Sequence, residues 1–414
     1  MHMTIQYDKE TITTIKNDFL KLQQIVQRTE KPFAKLHKKY STYPTVPLLL
    51  AIHYVFIHEH VDYRIVQNFL ENVLEITVAN YRTDLSDAHM IHVLIRENER
   101  YRTYIQSLAT EIEKIKIERW TNERDTIRKI VQALGQLHNH FHVKEKLIFP
   151  IVERYGHVQF TRDMWREDDY IRGAYRAVKN LLIDQTSTNM ENINRTFQSF
   201  AERLEKMFIQ EEYILFPMTL QLFRENEWEQ IKNESKAYGY DVANENLPKL
   251  ATNDKNSKIA THLTDEQHKR RKTENFPFGK GYLTLEEADL ILNNLPVEIT
   301  FVDRHSIFKY FNDVHAAEDM MLIRTPLSIG RNVAHCHPPK SLRKVMTLVR
   351  DLKTKKRTIE TMWFKKGDTY VHITYKGLFN EVGEFIGILE YVQDISSFFQ
   401  LPTEEKRQLT KLED

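Results

Sequence analysis

The chain has 414 residues, 41% of them hydrophobic and 28% charged, and 59 Lys+Arg stand against 58 Asp+Glu for a net charge of +1. A chain of this length holds about two to four domains with ordinary cores, and its balanced charge supplies no basic footprint for nucleic acid. One cysteine, Cys336, excludes an internal disulfide and suits a reducing compartment.

The first residues, MHMTIQYDKET, carry no apolar signal stretch. The longest apolar run, Val46–Ile57, falls short of the ~20 residues a membrane helix needs and reads as a buried helix. The expected location is therefore the cytoplasm, with no membrane partner.

Residues 1–83 form an N-terminal helical region. Ile15, Phe19, Leu22 and Ile25 recur at three- and four-residue steps. Tyr43-Pro44 and His58–Asp62 break the pattern. Asp84–Ile117 reads as a long helix capped by Ser86 or Asp87. His89, His92, Arg96 and Glu99 lie on or near one of its faces. His92 is either a hydrogen-bonded core group or a metal ligand.

Trp120–Arg154 carries the stretch that organises the chain: His138–Pro150, HNHFHVKEKLIFP. Met207–Pro217, MFIQEEYILFP, repeats its layout. Phe141 matches Phe208, Lys144-Glu145 matches Glu211-Glu212, and Phe149-Pro150 matches Phe216-Pro217. Proline does not easily continue a helix, so each copy should lie near a helix end. At about 100° per residue, His138, His142 and Glu145 share one face, and His140 lies on the other beside Lys144. The apolar stripe Ile130, Ala133, Leu134, Leu137, Phe141 and Ile148 is flanked by both sets, so which imidazole enters the core stays open. Gly156 ends this helix. Arg166–Leu182, with Asp168, Asp169 and Arg172, and Ile193–Leu222, the echo helix, follow around a polar Gln185–Asn192 loop. Residues 84–232 thus read as a helical bundle, whose facing helices suit a metal between them.

Residues 233–280 break the composition and read as a linker. Their basic run HKRRKTEN fits a solvated segment. Residues 281–398 change pattern again. Thr284 and Glu287 form a capping box before Ala288–Asn293. Strand-like runs Val297–Val302 and Phe308–Tyr310 precede the amphipathic helix Ser341–Leu352. Thr358–Phe364, Tyr370–Leu378 and Phe385–Asp394 then suit an antiparallel meander. The sum is a small α+β domain whose curved sheet leaves room for a ligand under its covering helices. Residues 399–414 are a charged tail.

Ordered blocks in this last part carry a family likeness: Leu295-Pro296, Phe301-Val302-Asp303, Arg324-Thr325-Pro326, Ile329-Gly330-Arg331, Cys336–Ser341, Trp363 and Leu389–Ile395. They resemble the PAS domain of DUF438-type proteins. Upstream, His92 with Glu97-Asn98-Glu99, His140–Pro150, Met164-Trp165 with Asp169 and Ile171-Arg172, and Glu211-Glu212 with Phe216-Pro217 resemble the hemerythrin-like (HHE cation-binding) domain of the same proteins. The resemblance implies a multidomain fold: an N-terminal all-α part with a hemerythrin-like four-helix bundle and a C-terminal α+β PAS domain with a five-stranded antiparallel sheet. It also implies non-haem iron, for which imidazole and carboxylate are suitable ligands. The candidates are His92, His140, Glu145 and Glu211, with His142 and Glu212 as neighbours.

The chain departs from the hemerythrin pattern in three places. Lys144 stands where a carboxylate is usual, Asp168 where some relatives have His, and Met207 where the echo helix would carry its His. Lys144 near a dication would be repelled unless it points outward. In the PAS part, Cys336, His337 and Trp363 are candidate cofactor contacts. Haem and flavin both stay open as ligands, and Cys336 is alternatively a small core residue beside a proline-started helix.

Three functions follow as expectations. The first is a cytoplasmic sensor or regulatory binding protein that takes a small molecule or metal and acts on a protein partner. The second is a non-haem iron and oxygen-handling protein for storage, detoxification or repair. The third is an interaction scaffold, for which homodimerisation through the sheet is expected. The sequence shows no nucleophile–base arrangement, P-loop or Gly-rich dinucleotide turn, so no catalytic residue is assigned and a conventional enzyme is disfavoured.

Overall fold

The computed structural model describes residues 9–25, 33–59, 61–87, 89–117, 124–183, 189–240 and 265–400. Most of the expected linker (241–264) and tail (401–414) lie outside them, as do 184–188 of the expected loop. The chain divides into a helical unit built mainly from residues before Leu250 and an α+β unit built mainly from those after it.

Among the described residues, the helical unit starts with the helices Lys9–Ile25, Phe33–Tyr40, Thr45–His58, Tyr63–Asn72 and Val78–Arg82. The apolar run does form a buried helix, with Leu48 to His53, Val55 and Phe56 all buried. Asp62 caps the next helix by accepting from the Arg64 amide at 2.8 Å, which explains the break read there. Phe69 stacks edge-on against Phe19 and Tyr40, with ring centroids 5.0 and 5.3 Å apart. This region is fastened to the bundle: the Tyr213 hydroxyl donates to Glu71 at 2.5 Å, and the Tyr81 hydroxyl to the Glu212 carbonyl at 2.6 Å.

Four long rods follow. The first is Met90–Ile117. The second runs through Arg124–Leu134, Leu137–Val143, Lys144–Ile148 and Phe149–Arg154. The third is Val158–Leu182, entered through Gly156 at φ 94°, a conformation that glycine adopts without Cβ strain. The fourth runs through Met190–Gln210, Glu211–Leu215 and Phe216–Leu222, and Asn189 caps it through the Glu191 and Asn192 amides.

The two echo segments share one backbone device. Lys144–Ile148 and Glu211–Leu215 are each a π-helical turn. The Phe149 amide bonds to the Lys144 carbonyl and the Phe216 amide to the Glu211 carbonyl, five residues back in each case. Each copy therefore lies near a helix end, as expected, and the rods run on past Phe-Pro to Arg154 and Leu222. The wide turn relieves the clash and missing donor of Pro150 and Pro217, and the rods continue beyond them. Residues 233–240, read as the start of the linker, are also folded: Ser235, Ala237 and Tyr238 are buried.

In the α+β unit, Asp265–Thr273 is helical. Strands β1 (Phe276–Phe278) and β2 (Gly281–Leu283) form a small hairpin that the sequence had left in or beside the linker. Thr284 and Glu287 make the expected capping box on Leu285–Asn293. Strands β3 (Glu298–Asp303), β4 (Phe308–Phe311), β5 (Ile359–Lys366), β6 (Thr369–Phe379) and β7 (Phe385–Asp394) form one antiparallel sheet of order β4-β3-β7-β6-β5. That is the expected five-stranded sheet. Helix Pro339–Lys353 supplies Leu352, Val345, Leu348 and Val349 to a core shared with Val302, Phe308, Val333 and Ile388.

Candidate functional site

The centre of the bundle is polar. Asn98, His140, Lys144, Asp168 and Glu211 are each fully buried. His140 and Lys144 lie one turn apart, so the face carrying them turns inward, which settles the choice left open between the imidazoles.

His140 is held between two carboxylates. Its Nδ1 lies 3.0 Å from Glu97 Oε2 and its Nε2 3.1 Å from Glu211 Oε2. Burial disfavours the imidazolium, but Glu211 and then Glu97 outweigh it and lift the pKa to about 9. A protonated ring then donates to both acids. Tyr240 donates to the same Glu97 oxygen at 2.6 Å.

Lys144 points inward, not outward. Its Nζ donates to Glu211 Oε1 at 2.5 Å, Asp168 Oδ1 at 2.8 Å and Met207 Sδ at 3.2 Å. Burial works against the ammonium, yet Asp168 and Glu211 hold its pKa above the ordinary value. Burial would also raise the Glu211 carboxyl, but Lys144 and His140 bring it down to about 2. Burial drives the Asp168 carboxyl upward, against the pull of Lys144.

A second layer surrounds this pair. Asn98 Nδ2 donates to Glu211 Oε2 and Glu212 Oε1, both at 3.1 Å. Arg102 forks onto Glu205 and Glu212, with contacts of 2.7 to 3.1 Å.

Of the six residues expected to hold metal, the structure brings only His140 and Glu211 together. His92 is taken by Arg82, whose Nε lies 3.2 Å from its Nε2, and by Asp87. His142 stacks on His138 with ring centroids 3.8 Å apart. Glu145 pairs with Arg172 at 2.8 Å. Glu212 is engaged by Arg102. The expected convergence of His92, His140, Glu145 and Glu211 therefore does not occur, because each outlier has its own cation or ring partner. Among the described residues, no three or more His, Cys, Asp or Glu are grouped so that they could hold a metal ion.

Sequence reasoning missed the inward turn of Lys144 and the roles of Arg102 and Tyr240. The four-residue steps His140–Lys144 and Met207–Glu211 were the available signal.

In the α+β unit, alternate β3 residues Glu298, Thr300 and Val302 are buried. Arg324 Nη1 donates to Glu298 Oε2 at 2.8 Å and Arg324 Nη2 to Glu390 Oε1 at 3.1 Å. The Met321 and Leu322 amides also donate to Glu298. Thr300 pairs directly across with Glu390, and Glu390 with Tyr375. The buried hydroxyls of Thr300 and Thr325 have no hydrogen-bond partner among the described residues.

The expected cofactor contacts are scattered. Cys336 packs on the core around Val302 and Leu352. His337 Nδ1 donates to the Val333 carbonyl at 2.9 Å. Trp363 lies on the edge strand, 68% exposed, so it lines no interior.

Comparison with known proteins places names on the two parts. Residues 89–219 match the hemerythrin HHE cation binding domain and residues 288–396 the PAS domain, so the chain carries both. No curated protein matches the chain. Among solved structures, a C-terminal domain from Streptococcus mutans is 48% identical, over 32% of this chain and 99% of that one, with a TM-score of 0.31. The PAS domain of a protein from Colwellia psychrerythraea is 14% identical, over 27% of this chain and 98% of that one, TM-score 0.20. A sensory box sensor histidine kinase from Vibrio cholerae is 11% identical, over 26% of this chain and 88% of that one, TM-score 0.20.

The residues present in the bundle do not fit the iron that this domain implies. One imidazole faces the centre, and it is bonded to acids through both nitrogens. The two central acids are already bonded to Lys144. A dication bound to either would sit about 4 Å from the ammonium, a repulsion of about 8 kcal/mol at an effective dielectric of about 20.

Proposed function

We propose that this two-domain chain, an HHE bundle joined to a PAS module, is a regulatory sensor of the DUF438 type, acting in the cytoplasm on a protein partner and reading its signal in the PAS domain. The pairing of these two domains supports a sensor. The observation that carries the reading is the pair of buried hydroxyls, Thr300 and Thr325, without a partner among the described residues and beside the Glu298–Arg324–Glu390 bridge. An unsatisfied buried polar group costs about 1–3 kcal/mol, which a ligand hydrogen-bonded there would recover. Arg324 already faces two carboxylates, so the ligand that suits this interior is small, uncharged and able to hydrogen-bond, rather than an anion.

Native mass spectrometry of the freshly purified full chain, with its absorption spectrum, tests this. A retained small molecule that Thr300→Val releases is the expected result. A mass equal to the bare chain, with no gain from a panel of small neutral metabolites, haem or flavin, would contradict it.

A further inference from the structure

The three positions at which the sequence departs from the hemerythrin pattern meet at one point. Lys144 Nζ has three donors, and Glu211, Asp168 and Met207 supply three acceptors. Its shell is complete without water. The Phe141 ring closes over it, with the centroid 4.8 Å from Nζ. His140 sits on the other oxygen of Glu211 and is braced in turn by Glu97. Both oxygens of the central carboxylate are therefore used by protein donors.

We infer that the Lys144 ammonium is the resident cation of the bundle: from the second rod it holds carboxylates on the third and fourth in the way a bound ion would, and the helical domain folds without metal and keeps divalent ions out of its centre. The inference concerns this chain's own charges and stands apart from the sensory reading of the PAS domain. Its physical basis is direct. Acids on the third and fourth rods need a buried positive partner, and the second rod supplies one on a covalent tether. A thioether at Met207 accepts weakly from an ammonium, and an aspartate at Asp168 completes the set. Replacing Lys144 with an acid would place three carboxylates and one imidazole around the same point, a donor set suited to iron or zinc.

The test uses the full chain expressed in iron-supplemented medium, desalted, and then offered iron(II) or zinc(II) alone. Metal is counted by elemental analysis and folding is followed by circular dichroism. Wild type is expected to retain less than ~0.1 ion per chain, and Lys144→Glu to take up about one, removable by chelator. Lys144→Met, which removes the cation without adding a ligand, is expected to stay metal-free and to lose about 10 °C in Tm. Wild type that keeps about one ion per chain overturns the inference whatever the variants do. So does a folded Lys144→Glu protein that binds no more metal than wild type, or a Lys144→Met protein as stable as wild type.

Discussion

Lys144 Nζ and Glu211 Oε1 lie 2.5 Å apart, and both side chains are sealed from solvent. A buried pair of this kind adds little over an apolar pair of the same volume, but it is costly to break from one side, because the remaining charge is stranded. Glu211→Gln is therefore expected to destabilise the helical domain by about 3–5 kcal/mol. Adding Lys144→Met to it should not restore stability, because Asp168 is then left buried without its ammonium partner. Urea unfolding followed by far-UV circular dichroism reads both. A single change costing under ~1 kcal/mol would show that the pair is not buried as described.

The same cluster sets a pH window. The Glu211 carboxyl falls from an ordinary 4.5 to about 2, so its stabilising effect is present above 4.5 and is lost as pH falls from there through 2. His140 rises from an ordinary 6.5 to about 9, so its effect is full below 6.5 and is lost as pH climbs through 9. The urea midpoint of the helical domain should thus be highest between about pH 5 and 7 and fall on both sides. In Glu211→Gln the acid-side fall should shrink. An unchanged acid limb in that variant would assign the acid loss to other groups.

His53 offers a change in the opposite direction. It is fully buried against Phe160, with ring centroids 4.4 Å apart, and neither ring nitrogen has a hydrogen-bond partner among the described residues. Burial, with a smaller effect from His58, lowers its pKa to about 3. The unfolded chain therefore binds this proton more readily, and the group costs stability as pH falls below 6.5. His53→Leu is expected to raise stability at pH 5 by about 1 kcal/mol and less at pH 8. A destabilised variant at both pH values would mean that the ring nitrogens are satisfied in solution.

How much of this could be read beforehand depends on the kind of signal. The echo around Phe149-Pro150 and Phe216-Pro217 was visible because it repeats residue types at fixed spacing, and it does mark the equivalent turns that position Lys144 and Glu211. The sheet was visible because alternation and turn residues are local. Phe385–Asp394 forms over the span read from the sequence, and the Thr284–Glu287 box caps its helix. The direction of Lys144 was not visible, since a lysine beside an apolar stripe normally snorkels to water. Only partners on other rods, Asp168 and Glu211, make burial affordable. Tyr240 was hidden for a similar reason. It comes from a stretch with linker composition, yet its hydroxyl reaches Glu97, 143 residues away in sequence.

One glycine in the PAS sheet was also passed over. A Cβ on Gly387 would stand 2.3 Å from the Val302 carbonyl oxygen and 2.6 Å from the Phe301 ring, and backbone on a paired strand cannot step aside. Gly387→Ala should cost the PAS domain about 3 kcal/mol and leave the helical domain's transition in place. A two-dimensional NMR spectrum or limited proteolysis of the full chain distinguishes loss of one domain from loss of both. Wild-type behaviour of this variant would contradict the β3–β7 register.

Whether lysine or metal balances Glu211 is read most directly by calorimetry of the unmodified full chain, once in chelator and once with excess iron(II). A ligand that binds only the folded state at 100 times its Kd adds about 2.7 kcal/mol and must raise Tm. The predicted result is one unchanged helical-domain transition in both solutions. A transition that moves up with iron(II) and down with chelator would contradict it.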